Sequence, residues 1–207
     1  MIRWLLLALS VVILLSISCE AVAQGVTKEM IDEMSHDCWS HGSQSRPPGP
    51  DLTEYYNACL EAFEEQPLGL TAQCGRECYR FLWLRTFNRP VLLRFSNYDG
   101  SYCLSYKELE GQSGYQIGAL VVNKEIQLDA KQWAEIKAIL TYADFYTLEP
   151  YDLLWFGFDG AYWVLEGRCD THYHLVDRWS PGLTAYREAC IQLLRYSGVT
   201  FGQREIY

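Results

Sequence analysis

From Tyr79 onward, apolar positions recur every second residue in short runs. YRFLWLRTF, VLLRF, SYCLSYKEL, ALVVNKEIQL, GAYWVLEG and THYHLVDRW read as six strands. Asp99-Gly100 sits between the second and third runs, and Asp159-Gly160 precedes the fifth. Two stretches switch to helical spacing. In DAKQWAEIKAILTYADF the stripe is Trp133, Ile136, Leu140 and Ala143, with Asp129 and Gln132 placed as a capping box. In GLTAYREACIQLLRYSG it is Leu183, Tyr186, Cys190, Leu193 and Leu194, with Ser180 and Pro181 as N-cap and first helical position. Strands, helix, strand pair, helix is an α+β order. It predicts an antiparallel sheet of about six strands with two packed helices on one face.

The chain before this reads differently. VTKEMIDEMSHDCW and DLTEYYNACLEAFEEQ have helical periodicity and are separated by the breaker HGSQSRPPGP. If the two helices face one another, Cys38 meets Cys59. A bridge there would stabilise by about 3 kcal/mol in the chain-entropy account. Connectivity beyond that pair stays open. Residues 24–73 therefore form a small helical, cysteine-containing region, and residues 74–207 form the α+β domain.

The first residues bear on compartment. Arg3, the apolar run Leu5 to Leu15 and AVAQ at Ala21 to Gln24 have the form of a signal peptide spanning residues 1–23. The competing reading is a lipoprotein acylated at Cys19, disfavoured because Ser16 stands where an apolar residue is wanted. The apolar run is shorter than the roughly 20 residues of a membrane span. A secreted or periplasmic protein is expected, with disulfides as the default state of its cysteines. The net charge of −9 argues against nucleic acid and anionic membranes.

YRFLWLRTF, DGAYWVLEG and YHLVDRWSP resemble blocks shared by a group of uncharacterised exported bacterial proteins. The resemblance covers about Glu77 to Gly198. It implies a domain boundary near Gln73 and carries no catalytic residue over.

Candidate chemistry gathers in two places. THYHLVDRWSP puts His172, His174 and Arg178 on one strand face, and Tyr173, Asp177 and Trp179 on the other. His172 and His174 have the spacing of a metal pair and need a third ligand, for which Asp170 is adjacent while His36 and His41 lie in the N-terminal region. Glu166, His174 and Asp177 are the alternative catalytic set of a hydrolase or metal-dependent enzyme. If Arg168 pairs with Thr171, the two carboxylates lie four residues apart along a strand, about 13 Å, too far for paired acid and base. No nucleophile elbow or phosphate loop is present, and no cofactor is implied. The second place is the aromatic connection Glu149 to Phe158. Tyr151, Trp155, Phe156 and Phe158 offer large contact area at little entropic cost. The expected function is a non-enzymatic binding or interaction protein that meets a protein or glycan in the cell envelope or outside. A carbohydrate-binding module is a further alternative.

Overall fold

The computed structural model describes residues 52–68, 75–113, 116–151, 159–170, 172–202 and 205–207. Residues 1–51 lie outside them, including the leader, Cys19 and Cys38. Among the described residues no helix is long and apolar enough to cross a membrane.

The architecture is α+β, as the periodicity predicts. Six strands run β1 Glu77–Arg85, β2 Val91–Tyr98, β3 Ser101–Leu109, β4 Leu120–Leu128, β5 Ala161–Cys169 and β6 His172–Trp179. Their order in the sheet is β4-β3-β2-β1-β5-β6, and every neighbouring pair is antiparallel. Three helices accompany them: α1 Leu52–Ala62, α2 Ala130–Tyr142 and α3 Ala185–Arg195.

β1 lies at the centre, and all nine of its residues are buried. Tyr79, Phe81 and Trp83 enter the larger core with Trp133, Ile136 and Leu140 of α2 and Tyr186, Cys190 and Leu193 of α3. Leu82 and Leu84 enter a second core with Tyr56, Cys59, Leu60 and Phe63 of α1 and its C-terminal turn. The sheet is thus covered on both faces, where one helical layer was expected. The reason is in β1 itself: both alternations of this strand carry large apolar side chains, so both require cover. The boundary read at residue 73 separates α1 from the sheet in sequence, yet α1 shares a core with it.

The local signals resolve as follows. Asp99 and Gly100 both have positive φ and join Tyr98 to Ser101 in a two-residue hairpin. Asp129 caps α2 through the expected reciprocal bonds with Gln132, at 2.7 and 2.9 Å. α3 departs from expectation. Its N-cap is Thr184, which accepts from Arg187 N, so the helix begins after Ser180 and Pro181. Leu183 therefore precedes the helix and is exposed instead of joining the inward stripe.

Candidate binding site at one end of the sheet

The hairpin that holds most of the polar candidates has a shifted register. Cys169, not Arg168, closes the turn, and it pairs with His172. Glu166 then faces Leu175, and Asp177 faces Val164. The partner changes by two residues, so every side chain keeps its face while Glu166 and Asp177 become diagonal neighbours. They are not the distant pair expected, since diagonal neighbours sit roughly 7–8 Å apart. Both have structural partners. Arg80 Nε and Nη2 lie 2.7 and 2.6 Å from Glu166 Oε2, and Tyr173 donates to Glu166 Oε1 at 2.7 Å. Tyr56 of α1 donates to Asp177 Oδ2 at 2.7 Å.

His174 is on the other face. Its ring packs edge-on against Phe145 and near Tyr146, on the side of α2 and α3. A catalytic set of Glu166, His174 and Asp177 would need side chains from opposite sides of a sheet two cores thick. The alternation of β6 forbids it. His172 shares the face of His174 and is exposed. Among the described residues no group of three His, Cys, Asp or Glu side chains could hold a metal.

The charged residues under α1 form a connected centre. Glu65, just beyond the helix, receives Arg94 Nε at 3.0 Å and Lys107 Nζ at 2.7 Å, with Arg80 Nη1 at 3.8 Å. Lys107 also donates to the carbonyl of Phe63 at 2.8 Å, and Arg80 to that of Gln66 at 2.7 Å. Burial alone lowers the pKa of Arg80. Glu166 and Glu65 outweigh it, and the net shift is upward. Its own counter-charges and the carbonyls of Phe63 and Gln66 just beyond α1 join this centre to the sheet.

The aromatic connection is described only at its start. Tyr151 is half-buried, bridges to Asp177 and packs against the α1-side core. Trp155, Phe156 and Phe158 lie outside the described residues. Of the ring pairs among the described residues, Tyr102 on Trp133 is the one near-parallel stack, and Trp133 is buried on the core-facing side of α2. It offers no flat outward platform to a sugar.

Cys59, the expected partner of Cys38, carries a free thiol. It packs from α1 into the sheet core, and burial pushes its pKa up to about 12; Cys38 lies outside the described residues. Among the described residues no disulfide is formed.

An open cleft of about 480 Å³ remains, at the end of the sheet where β1 finishes. It lies between the β1–β2 loop, the β3–β4 loop and the C-terminal segment. Arg85, the last residue of β1, supplies its floor. The guanidinium stacks 4.1 Å over Trp83 and 5.4 Å from Phe201, and Nε and Nη2 donate to the carbonyl of Arg89 at 3.2 and 2.7 Å. Nη1 is buried and makes no hydrogen bond. It forms an ion pair with Glu205 Oε1 at 3.6 Å, longer than a hydrogen bond. Burial lowers the pKa of Arg85 and Glu205 opposes it; the guanidinium remains charged near neutrality.

The walls are fixed by backbone and tail. Ser113 N donates to Arg85 O at 3.2 Å, and Tyr55 of α1 donates to Ser113 O at 3.0 Å. Gly111 lines the cleft, and a Cβ there would run into the carbonyls of Gln116 and Ile117. The tail is tied down by Trp163 Nε1 to Tyr207 O at 2.8 Å, Arg187 Nη2 to Ile206 O at 3.0 Å, and Tyr207 Oη to Asn88 Oδ1 at 3.0 Å. Phe87, Val199 and Phe201 give the cleft an apolar side; Glu108, Glu110 and Glu205 give it carboxylates.

No family model matches the chain, and no curated protein does. The site therefore rests on its own geometry. Sequence reasoning missed Arg85, Glu110 and Glu205, which lie 120 residues apart in the chain at their extremes. One signal was present. Arg80 and Arg85 interrupt an otherwise apolar run, and a charge in a fully buried strand must be paired or serve a site. Arg80 is paired with Glu166 and Glu65, and Arg85 with Glu205 at the cleft.

Proposed function

We propose that this chain is an exported, non-enzymatic binding protein whose recognition site is the cleft over Arg85. One observation carries the reading: a buried arginine, held by ring stacking and a backbone carbonyl and ion-paired to Glu205, lines a walled cleft. A guanidinium held by stacking and by a backbone carbonyl is pre-organised, and binding through it loses little side-chain entropy. The volume falls within the range of ordinary small-molecule sites. The reading keeps the binding role expected from the sequence and moves the recognition surface from the aromatic connection to the cleft over Arg85.

The test is a fragment screen followed by two-dimensional NMR of the full chain. Binders should shift the amides of Phe87, Gly111, Gln112 and Thr200 together. Shifts gathered instead around Tyr142 and Tyr146, with the cleft silent, would move the site elsewhere.

A further inference from the structure

The chain that leaves α2 changes faces of the sheet. Phe145 is buried in the larger core, on the side of α2 and α3, and Tyr151 packs against the core under α1. Between them the backbone passes around β6, the outermost strand. Residues 144–151 are thus a strap over that edge. Backbone and side chain of β6 clamp it. Asp177 N donates to Pro150 O at 2.8 Å, and Arg178 donates to Glu149 O at 2.7 Å and to Pro150 O at 3.2 Å. Phe145 is its anchor. The ring fills the space over Gly167, where a Cβ would stand 2.6 Å from Cε1. Gly167 is the cross-strand partner of His174, whose own ring walls this seat, edge-on to Phe145 at 5.1 Å.

One wall of the seat can therefore take up a proton. His174 Nε2 is buried and has no hydrogen-bond partner. A proton there adds a charge and an N–H that the seated strap keeps from water. Burial lowers the pKa of His174 and Arg178, on the same strand face, adds to it; the carbonyls of Leu148 and Phe145 and the carboxylate of Glu149 oppose. Tyr146 of the strap, Tyr79 of β1 and Cys169 of β5 also surround the seat, and burial raises the pKa of each. Glu77 accepts from Tyr79 and pairs with Lys137 of α2. His172, two residues before His174, is exposed. We infer that residues 144–151 are a proton-released strap: protonation of His174 unseats Phe145, and the segment lifts from the edge of β6 while the sheet stays folded. The sign follows from linkage. A group whose pKa is lower in the closed state favours closure above about pH 6.5 and opening below it.

The experiment is amide hydrogen exchange of the full chain at pH 7.5 and 5.5, corrected for the intrinsic exchange rate. Two amides report on the strap: Asp177 N, bonded to Pro150 O, and Thr147 N, bonded to Asp144 O. Their open-to-closed ratio should rise about threefold or more at the lower pH. At that pH they should also open at least about tenfold more often than the amide of Phe81 in β1, which separates lifting of the strap from unfolding. His174→Gln should flatten the response, and His172→Gln should preserve it. In the unsubstituted protein, an NMR titration should give the His174 ring and the Thr147 and Asp177 amides one midpoint, which keeps the test open even if His174→Gln fails to fold. A strap that opens no more at pH 5.5 than at 7.5 overturns the inference. So does opening equal to that of Phe81, a response that survives His174→Gln, or midpoints that differ.

Discussion

Three cations meet one carboxylate beneath α1: Lys107 Nζ, Arg94 Nε and Arg80 Nη1 lie 2.7, 3.0 and 3.8 Å from Glu65. Arg80 stands directly opposite Arg94 across β1 and β2, an arrangement that repels unless an anion separates the pair. Glu65 is that anion, and Glu166 takes the far side of Arg80. Glu65→Gln should therefore cost about 3–5 kcal/mol in urea denaturation, because it strands buried charge. Lys131→Gln removes an exposed pair with Glu135 and should cost less than about 0.5 kcal/mol. A Glu65→Gln loss as small as that of Lys131→Gln would mean that water reaches the centre. A second expectation at this scale concerns His174. Its pKa is lowered by burial, with Arg178 adding to the effect and the carbonyls of Leu148 and Phe145 opposing it. A lowered pKa means the unfolded chain takes up the proton first as pH falls. Stability from this residue is intact above about pH 6.5 and declines below it. The melting temperature should fall between pH 7.5 and 5.5, and His174→Gln should shrink that fall. An unchanged pH slope in the variant would remove His174 from the account.

At the scale of elements, α1 shows how far local signals reach. Its apolar stripe of Tyr55, Cys59, Ala62 and Phe63 is readable from periodicity, but the surface it covers is not. Phe63 is fully buried against the sheet, so Phe63→Ala should cost about 3–5 kcal/mol. Hydrogen exchange should quicken in β1 and β5 as well as in α1; quickening confined to α1 would mean that the helix does not share the sheet's core. The cysteines give an independent check. Cys59 and Cys190 have no solvent exposure and raised pKa values, with burial the main cause. Cys169 is half-exposed at the end of β5, with its pKa raised more by burial than by Glu77 and Asp170. A thiol reagent should label Cys169 in the native protein and reach Cys59 and Cys190 only on unfolding. Native labelling of Cys59 would contradict the docking of α1. The β5–β6 hairpin teaches the opposite lesson. Its two-residue turn was foreseeable, but its position was not, because Cys169, Asp170 and Thr171 offer the turn more than one placement.

Across the whole molecule, the last residues close the cleft and cap the larger core. Tyr207 joins the β1–β2 loop through Asn88 and accepts Trp163 at its carbonyl. Phe201 lies edge-on to Trp83, which in turn carries Arg85. The tail thus couples the floor of the cleft to the packing of β1 and β5. Tyr207→Ala should lower stability by about 1–3 kcal/mol through the lost bonds and contact, and should shift tryptophan emission to the red. It should also weaken any ligand of the cleft without altering α1, which lies on the other face. A variant with wild-type emission and wild-type ligand binding would show that the tail is not a wall of the site.

The sequence by itself determined the strand and helix periods, the α+β class, the Asp99-Gly100 turn and the capping box of α2. Each of these depends on residues within a few positions of one another, where spacing and side-chain chemistry are enough. It also placed charges in a strand that reads as core, in Arg80 and Arg85, without saying how they are satisfied. The tertiary structure alone decided that α1 covers the second face, that the carboxylates and His174 part to opposite sides, and that Arg85 meets Glu205. The reason is physical. A strand's period fixes which residues share a face, but burial of that face, and the partner that meets a charge, come from chain segments up to 120 residues away. No local spacing records that approach.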